Sequence, residues 1–246
     1  MSDPGQVTST HQAKQAIRER VWSKLEAAGL VEPGVAGYIP NFYGAAKAAE
    51  QLAALGAWQQ AHVLKVVPDR AQLPVRVLAL AQGKLVYMAA PKLATPEPFY
   101  VLDPNTLSVS PVEAAEREVA ARIAPMANVE TMQAIDLVVV GSVAVNEKGA
   151  RLGKGAGYSD IELGLLVEAG LVTERTTVCT TVHELQVLDE ELPELPHDFR
   201  VDVIATPERI IRCSEPQRPE TIDWSTLSAG QIEAIPVLKA RTGGQS

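Results

Sequence analysis

Near the middle of the chain lies Asp136-Leu-Val-Val-Val-Gly-Ser-Val-Ala-Val145, a segment that is apolar almost throughout. A strand with one solvated face alternates apolar and polar residues, whereas a strand in a parallel sheet covered by helices on both faces reads as a continuous apolar run. The segment therefore predicts a strand buried in the centre of a parallel sheet.

Shorter segments of strand or helix character alternate on either side of this central strand. Apolar and β-branched runs bounded by turn residues predict strands at 62–67, 75–81, 85–90, 176–182 and 201–206. Apolar residues at three- and four-residue intervals predict helices at 17–28, 45–55, 112–123 and 161–171, with a loop at 37–44. This order predicts a doubly wound α/β fold, with a mostly parallel sheet and helices on both faces in three α/β/α layers.

Length and composition suit one globular domain with a sizeable core. The chain has 246 residues, of which 46% are apolar. We assign residues 12–213 to a single α/β domain and residues 1–11, which are small and polar, to a loose N-terminus. Residues 214–246 are rich in proline and charge, so we expect a partly ordered C-terminal tail.

The net charge of −8 argues against nonspecific binding to nucleic acid or to an anionic membrane, because both favour a basic protein surface. Cys179 and Cys213 lack the spacing of a disulfide framework or a zinc site. The sequence shows no signal peptide and no apolar run of membrane length, so the predicted location is the cytoplasm. A local basic pocket for a small acidic ligand remains compatible with these properties.

A glycine-rich segment, Lys148-Gly-Ala-Arg-Leu-Gly-Lys-Gly-Ala-Gly-Tyr-Ser-Asp160, follows the central strand. Its alternating glycines let the backbone approach an anion closely, and the N-terminus of the next helix adds partial positive charge. Arg151 and Lys154 supply full positive charges, and Asp160 could hold a metal ion that bridges phosphate oxygens. The segment predicts a phosphate site, although it matches neither a Walker A loop nor a Rossmann motif. A flexible turn with Asp160 as a helix N-cap is the structural alternative.

The same segment resembles the signature of the 5-formyltetrahydrofolate cyclo-ligase family, also called methenyltetrahydrofolate synthetases. That signature is an apolar strand, Gly-x-Ala-Phe, a short turn and Arg-Leu-Gly-Arg/Lys-Gly-x-Gly-Tyr-Tyr-Asp. Here Gly141-Ser-Val-Ala-Val145 and Arg151-Leu-Gly-Lys-Gly-Ala-Gly-Tyr-Ser-Asp160 stand at those places. Weaker matches are Leu195-Pro-His-Asp-Phe-Arg-Val-Asp-Val203 and the pair Lys14 and Arg18. The segments Ile39–Gly44 and Lys65–Asp69 are similar to the "domain-containing" branch of the family.

The resemblance implies a cytoplasmic enzyme of one-carbon metabolism that uses ATP and Mg²⁺. Such a ligase converts 5-formyltetrahydrofolate to 5,10-methenyltetrahydrofolate and releases ADP and phosphate. The implied ATP-binding residues are Lys14, Arg18, Arg151, Gly153, Lys154, Gly155, Ala156 and Gly157. The implied substrate-binding residues are Lys154, Gly155, Ala156, Gly157 and Tyr158. Catalytic roles would fall to Arg151, Lys154 and Tyr158, and metal binding to Asp160 and Asp198.

Two departures from the family pattern support an alternative function. Ser159 stands where the family has a second tyrosine, and the glutamate that follows the family's first strand has no acidic counterpart in the compared stretch Tyr43-Gly-Ala-Ala-Lys47. The alternative is a nucleotide-binding relative that is not catalytic, or that acts on another substrate, because it has lost the folate contacts. A sugar-phosphate isomerase on a similar scaffold is a third hypothesis, since a fold alone does not define a function.

Several of these residues also have structural explanations that the sequence leaves open. Lys14 and Arg18 lie four residues apart on a helix and could simply face solvent. Asp198 could cap a turn, and Tyr158 could pack its ring in the core. Arg151 is interpreted as a loop cation at a solvated mouth, so its replacement is expected to affect ATP use more than the fold.

Four further residues have less specific interpretations. Phe42 and Tyr43 are equally compatible with a loop anchor and with a pair that stacks on a ligand. His183 and His197 are interpreted as hydrogen-bonded structural histidines.

Overall fold

The computed structural model describes residues 4–219 and 221–242. Its strands are β1 (Val63–Val66), β2 (Leu85–Ala89), β3 (Phe99–Leu102), β4 (Met126–Ala127), β5 (Leu137–Val140), β6 (Ala144–Val145), β7 (Arg151–Leu152), β8 (Thr177–Thr181), β9 (Val203–Ala205) and β10 (Ile210–Arg212). Its helices are α1 (Pro4–Ala27), α2 (Ala45–Ala53), α3 (Gly56–Gln60), α4 (Leu73–Ala81), α5 (Pro111–Ala114), α6 (Arg117–Ile123), α7 (Tyr158–Glu168), α8 (Ala229–Ala234) and α9 (Pro236–Thr242).

Across the described ranges, eight strands form one sheet in the order β10-β9-β8-β5-β1-β2-β3-β4. The five inner strands β9, β8, β5, β1 and β2 are parallel, whereas β3, β4 and β10 add antiparallel edges. Strands β6 and β7 pair separately as an antiparallel hairpin. This mostly parallel α/β sheet confirms the predicted fold class.

Alternate residues of the central strands enter two different cores, which shows that helices cover both faces of the sheet. Val138 and Val140 of β5 pack with residues of α7. Their neighbours Leu137 and Val139 pack with residues of α2 and α4. Because successive side chains of a strand point to opposite faces, this division corresponds to the predicted three layers.

The predicted strand at 75–81 was wrong, since these residues belong to helix α4. The sequence from Val75 to Ala81 is rich in valine and leucine, a composition typical of a strand. The buried residues of the helix nevertheless have helical spacing: Val75, Arg76, Ala79 and Leu80. The parallel pairing of β1 with β2 requires a crossover connection, and α4 supplies it.

The predicted central strand at 136–145 is interrupted at Gly141, so that only β5 belongs to the main sheet. Close packing explains the glycine at this point, because a Cβ atom there would lie 3.0 Å from the Ile39 side chain and 3.3 Å from the Asp69 carboxylate. The predicted helix at 112–123 likewise forms two short helices, α5 and α6.

Both ends of the described chain carry helices. Helix α1 begins at Pro4, so residues 4–11, expected to be loose, are helical, and residues 1–3 lie outside the described ranges. Near the other end, Ile222, Ile235 and Leu238 are at most 4% exposed and belong to the core beneath α7. None of the helices in the described ranges combines the length and apolarity needed to cross a bilayer.

Candidate functional site

A cavity of about 420 Å³ lies beyond the carboxyl ends of the parallel strands. The chain proceeds from β1 to β2 on one side, whereas β5, β8 and β9 extend the sheet on the other, so the winding reverses between β1 and β5. Ligands of doubly wound proteins bind at such a switch point. Asp69, which follows β1, and Gly141, which follows β5, both line the cavity.

All the residues that the sequence assigned to the site line this one cavity: Lys14, Arg18, Arg151, Gly153, Lys154, Gly155, Ala156, Gly157, Tyr158, Asp160 and Asp198. They come from α1, from β7, from the β7–α7 connection, from the first turn of α7 and from the loop before β9. The structure therefore brings together residues separated by more than half of the sequence, while their individual roles remain predictions.

The glycine-rich loop leads directly into helix α7. Gly155 and Gly157 have φ angles of 98° and 74°, a region that favours glycine. Gly157 occupies the N-cap position, so the first amide groups of α7 donate no hydrogen bond to a capping side chain. Asp160 lies within the first turn and is not the N-cap, which corrects the structural alternative. Free amides and the helix dipole make this end of α7 suitable for an anion.

Helix α1 directs two basic side chains toward this loop. Lys14 and Arg18 are 5% and 8% exposed, so the alternative of a solvated helix face was wrong. The Lys14 ammonium forms an ion pair with Asp198, and Arg18 donates from Nε to the Gly153 carbonyl over 2.7 Å. Burial lowers the pKa of Arg18, and nearby Asp198 opposes that shift. Both cations are thus fixed beside the loop before any ligand binds.

Arg151 is buried, contrary to the expected position at a solvated mouth. The β6–β7 hairpin carries it inward, where its guanidinium lies 4.3 Å from the centre of the Phe199 ring and 3.6 Å from the Asp160 carboxylate. Its Nε atom is buried and has no hydrogen-bond partner among the described residues. Buried donors are normally paired, and an anionic ligand would satisfy this one.

The two predicted metal ligands, Asp160 and Asp198, are electrostatically coupled. Burial raises the pKa of Asp160, Arg151 lowers it, and the negative charge of Asp198 raises it. The Asp198 carboxylate accepts a hydrogen bond of 2.5 Å from the Leu195 amide and so closes a turn, which is the structural alternative for this residue. The same carboxylate also forms an ion pair with Lys14. No group of three or more potential metal-binding side chains occurs in the described ranges. Two carboxylates nevertheless fit Mg²⁺, which typically binds one or two of them together with substrate phosphates.

Asp69 is an acidic cavity residue that the sequence analysis missed. Lys154 reaches across the cavity and its Nζ atom lies 3.2 Å from the Asp69 carboxylate. The buried Arg76 holds the turn after β1 by donating to the Val67 carbonyl over 2.6 Å and to the Asp69 carbonyl over 3.1 Å. Pro68-Asp69, placed directly after a predicted strand, was the signal that could have revealed this residue.

Asp69 is an acidic residue that follows the first strand, so the prediction that the chain lacks one there was wrong. The stretch compared with the family, Tyr43–Lys47, precedes β1 and runs into α2, so it was the wrong segment. Phe42 lies in the core with its ring 6.2 Å from that of His183, which makes it a loop anchor. Tyr43 is 56% exposed and bonds to Glu32, away from the cavity.

Of the three remaining predicted residues, Tyr158 and His197 line the cavity, and His183 has a structural role. Tyr158 is half-buried, packs against the core and also lines the cavity beside Ser159. His183 accepts the Leu185 amide over 3.1 Å and is structural, as predicted. His197, in contrast, lines the cavity, and its buried Nδ1 has no hydrogen-bond partner in the described ranges, so it does not match that prediction.

A second cavity, of about 730 Å³, adjoins the first around the glycine-rich loop. His11, Gly155, Gly157, Asp160 and His197 contribute to both walls. Its far wall consists of C-terminal residues: Pro219, Thr221, Ile222, Asp223, Ser225, Thr226, Leu227 and Gln231. The loop is therefore accessible from two sides, and the C-terminal segment forms one of them.

The fold and the cavity define a doubly wound α/β protein whose ligand crevice is lined by buried cations and by carboxylates that form ion pairs with them. The model of the 5-formyltetrahydrofolate cyclo-ligase family matches residues 10–207, and the chain belongs to this family. It is 39% identical over 242 residues to the methenyltetrahydrofolate synthase domain-containing protein of Mus musculus and 36% identical over 243 residues to that of Homo sapiens.

These alignments cover 92% and 93% of the chain but only 62% and 61% of the mouse and human proteins, so the chain spans about three fifths of their length. A 5-formyltetrahydrofolate cyclo-ligase of Mycolicibacterium smegmatis is 35% identical over 85 residues, which are 35% of this chain and 40% of that protein. The NMR structure of Aquifex aeolicus 5,10-methenyltetrahydrofolate synthetase has the same fold, with a TM-score of 0.52 and 20% identity over 86% of this chain and 98% of that chain.

Proposed function

We propose that the protein is an ATP- and Mg²⁺-dependent ligase that converts 5-formyltetrahydrofolate to 5,10-methenyltetrahydrofolate. The observation that carries the proposal is the convergence of cations and carboxylates in one cavity. Arg18 is buried against the glycine-rich loop that leads into α7, and the buried Arg151 lies next to Asp160 in the first turn of that helix. Phosphoryl transfer requires chiefly positioning and charge neutralisation, and this arrangement supplies both.

The proposed reaction has two chemical steps. The formyl oxygen of the substrate attacks the γ-phosphorus of ATP, and ADP leaves with the electrons of the broken P–O bond. The neighbouring folate nitrogen then attacks the activated formyl carbon, losing its proton, and the ring closes as phosphate departs with the former formyl oxygen. The protein's part is to align the attacking and leaving oxygens and to neutralise charge on the transferred group.

The proposed role of each residue is the one that the resemblance to the family implies, and its place in the cavity is compatible with that role. Lys14, Arg18 and Arg151 would hold the ATP phosphates against the loop from Gly153 to Gly157, while Lys154 and Tyr158 would face the transferred phosphoryl group and the folate. Asp160 and Asp198 would hold Mg²⁺, which supplies charge neutralisation for the β- and γ-phosphates when bound. For this to happen both aspartates must exchange their present cationic partners, Arg151 and Lys14, for the metal.

The direct test is a coupled assay of the purified protein with 5-formyltetrahydrofolate, ATP and Mg²⁺. We expect the methenyl chromophore and ADP to appear in equal amounts, and neither to appear when ATP or Mg²⁺ is omitted. If no chromophore grows and no ADP is released, the proposed function is wrong. The predicted cytoplasmic location and the predicted lack of nucleic-acid and membrane partners also stay proposals.

One feature of the cavity favours a second candidate, a relative that binds nucleotide and acts on another substrate or on none. Ser159 lines the cavity where the family has a second tyrosine, so one aromatic surface for a planar ring is missing. Calorimetry that detects ATP binding, together with no turnover of any reduced folate, would support this candidate. The sugar-phosphate isomerase is not favoured, because the family match spans the whole cavity-forming region.

Replacement of Asp69 by asparagine tests the folate end of the cavity. Under the proposed function, the carboxylate accepts hydrogen bonds from ring nitrogens, and losing its charge should raise KM for 5-formyltetrahydrofolate about tenfold. The KM for ATP should stay within about twofold, because the lost ion pair with the 40% exposed Lys154 contributes little. Steady-state kinetics of Asp69→Asn and of the control Asp189→Asn, which changes an exposed aspartate, measure both constants. Equal changes for both substrates would contradict the assignment.

A further inference from the structure

A lysine and a glutamate, Lys65 and Glu162, form a buried ion pair beneath the cavity that the proposed chemistry does not use. Lys65 lies on β1 and Glu162 on α7, and they are 1% and 5% exposed. Lys65 is paired in the sheet with Val138 and Tyr87, both buried, so the ion pair lies in apolar surroundings. The pair thus connects strand β1 to helix α7, which begins at the glycine-rich loop.

Stability does not explain why charges occupy this place. Removing two charges from water costs several kcal/mol, and replacement of a buried ion pair by apolar residues of similar volume is often neutral or stabilising. An apolar pair between β1 and α7 would continue the core formed by neighbouring residues such as Val63, Leu163 and Leu165. A role in the cavity provides the alternative explanation.

The two members of the pair differ in their relation to the cavity. Glu162 lines it, one helical turn after Tyr158 on the same face of α7, whereas Lys65 lies underneath and is not part of the wall. Lys65 is the hydrogen-bond partner of Glu162 at Oε2. A carboxylate has two oxygens and about four acceptor sites, so Glu162 retains acceptor capacity for a ligand.

From this arrangement we propose that Glu162 is a substrate-recognition residue and that Lys65 is its positioning residue. Glu162 accepts hydrogen bonds from adjacent N–H groups on one edge of a planar nitrogen heterocycle, the edge that an aminopyrimidinone ring presents. Lys65 holds the carboxylate from below and fixes its orientation. This assignment rests on the proposed function for the identity of the heterocycle, which is the pterin ring of a reduced folate.

The test uses one variant that replaces the whole ion pair and leaves no buried charge unpaired, and a second variant that changes Glu162 alone. Lys65→Met/Glu162→Leu replaces the ion pair by apolar side chains, and Glu162→Gln removes only the negative charge. The control Lys239→Met/Glu233→Leu removes an exposed ion pair of the same composition. The probes are ATP, 6-methyltetrahydropterin, which is the heterocycle without the glutamate tail, and 5-formyltetrahydrofolate.

We expect Lys65→Met/Glu162→Leu to unfold at the same urea concentration as the unmodified protein or at a higher one, and to bind ATP within about twofold of its affinity. The Kd for 6-methyltetrahydropterin and the KM for 5-formyltetrahydrofolate should rise about 10- to 100-fold, as for loss of a charged hydrogen bond. Glu162→Gln should show the same change in KM with ATP binding unaltered. If the double variant fails to fold, this single variant tests whether Glu162 recognises the heterocycle.

Other outcomes separate this inference from the proposed function. If both variants bind pterin as tightly as the unmodified protein does, the pair is structural and the inference is overturned while the function can stand. If the unmodified protein does not convert 5-formyltetrahydrofolate but binds the pterin in a manner that depends on Glu162, the proposed function fails and the inference stands. If it binds no pterin at all, the inference fails whatever the result with ATP.

Discussion

Replacement of Arg151 by methionine is expected to lower kcat/KM for ATP about 100- to 1000-fold, the loss typical of removing one preorganised donor from a charge-stabilising site. The guanidinium is buried beside Asp160 and has an unpartnered Nε, so it is set to receive an anion. Methionine keeps an unbranched stem over the Phe199 ring, so the apolar contact survives while the charge is lost. Kinetics at varied ATP concentration measure the effect.

Two further variants define what Arg151 contributes. Arg151→Lys keeps the charge but not the forked donor geometry, and it should lie between methionine and arginine in activity. Arg122→Met removes an exposed arginine of α6 and should change nothing. Because Arg151 is buried, unfolding in urea must be measured alongside: a variant that has lost its fold without ligand would make the residue structural. Unaltered ATP use by a folded Arg151→Met protein would contradict the anion site itself.

Replacement of Gly149 by alanine is expected to destabilise the protein by about 3 kcal/mol, because two unfavourable effects add. The residue has φ of 98°, which costs an L-residue about 1–2 kcal/mol. Its new Cβ would also lie 2.4 Å from the Val201 carbonyl oxygen and 3.1 Å from the Cys213 Cβ. Neither neighbour can move freely, since Val201 is buried and donates its amide to Gly149 over 2.8 Å.

Gly34→Ala is the matched control for this prediction. Gly34 has a similar φ of 86°, but nothing lies within 4 Å of the position where its Cβ would stand. The control should therefore lose only the backbone contribution, about 1–2 kcal/mol, and the difference between the two variants in urea unfolding isolates the steric clash. Equal losses for both variants would show that the β6–β7 hairpin shifts to accommodate the methyl group.

The parts of the fold that the sequence predicted correctly are those whose signal is local. Val138 and Val139 face different cores, so both are apolar. The continuous apolar run therefore indicates a strand that helices cover on both faces of the sheet. Helix α4 has the same kind of composition and was predicted as a strand. What makes it a helix is the parallel pairing of β1 with β2, and that pairing is not visible within the segment itself.

The site shows the same division. The glycine-rich loop, its two cations and Asp160 lie within a dozen residues, and their spacing alone predicted a phosphate site. Lys65 and Glu162 are separated by 97 positions, and each on its own is a charged residue in an otherwise apolar element. Asp69 was missed because the comparison used a segment before the first strand. Only the tertiary structure brings Asp69 and Glu162 to one cavity and places Lys65 beneath it.

The close approach of α7 to the C-terminal segment has a consequence for comparing family members. At Gly164 a Cβ atom would lie 3.2 Å from the backbone N and Cα of Ile222, so a larger residue at this helix position requires the crossing chain to shift. Ile222 lies beyond residue 207, where the family match ends. Chains without such a segment have no steric need for glycine there, so we expect glycine at this position chiefly in relatives that carry the segment.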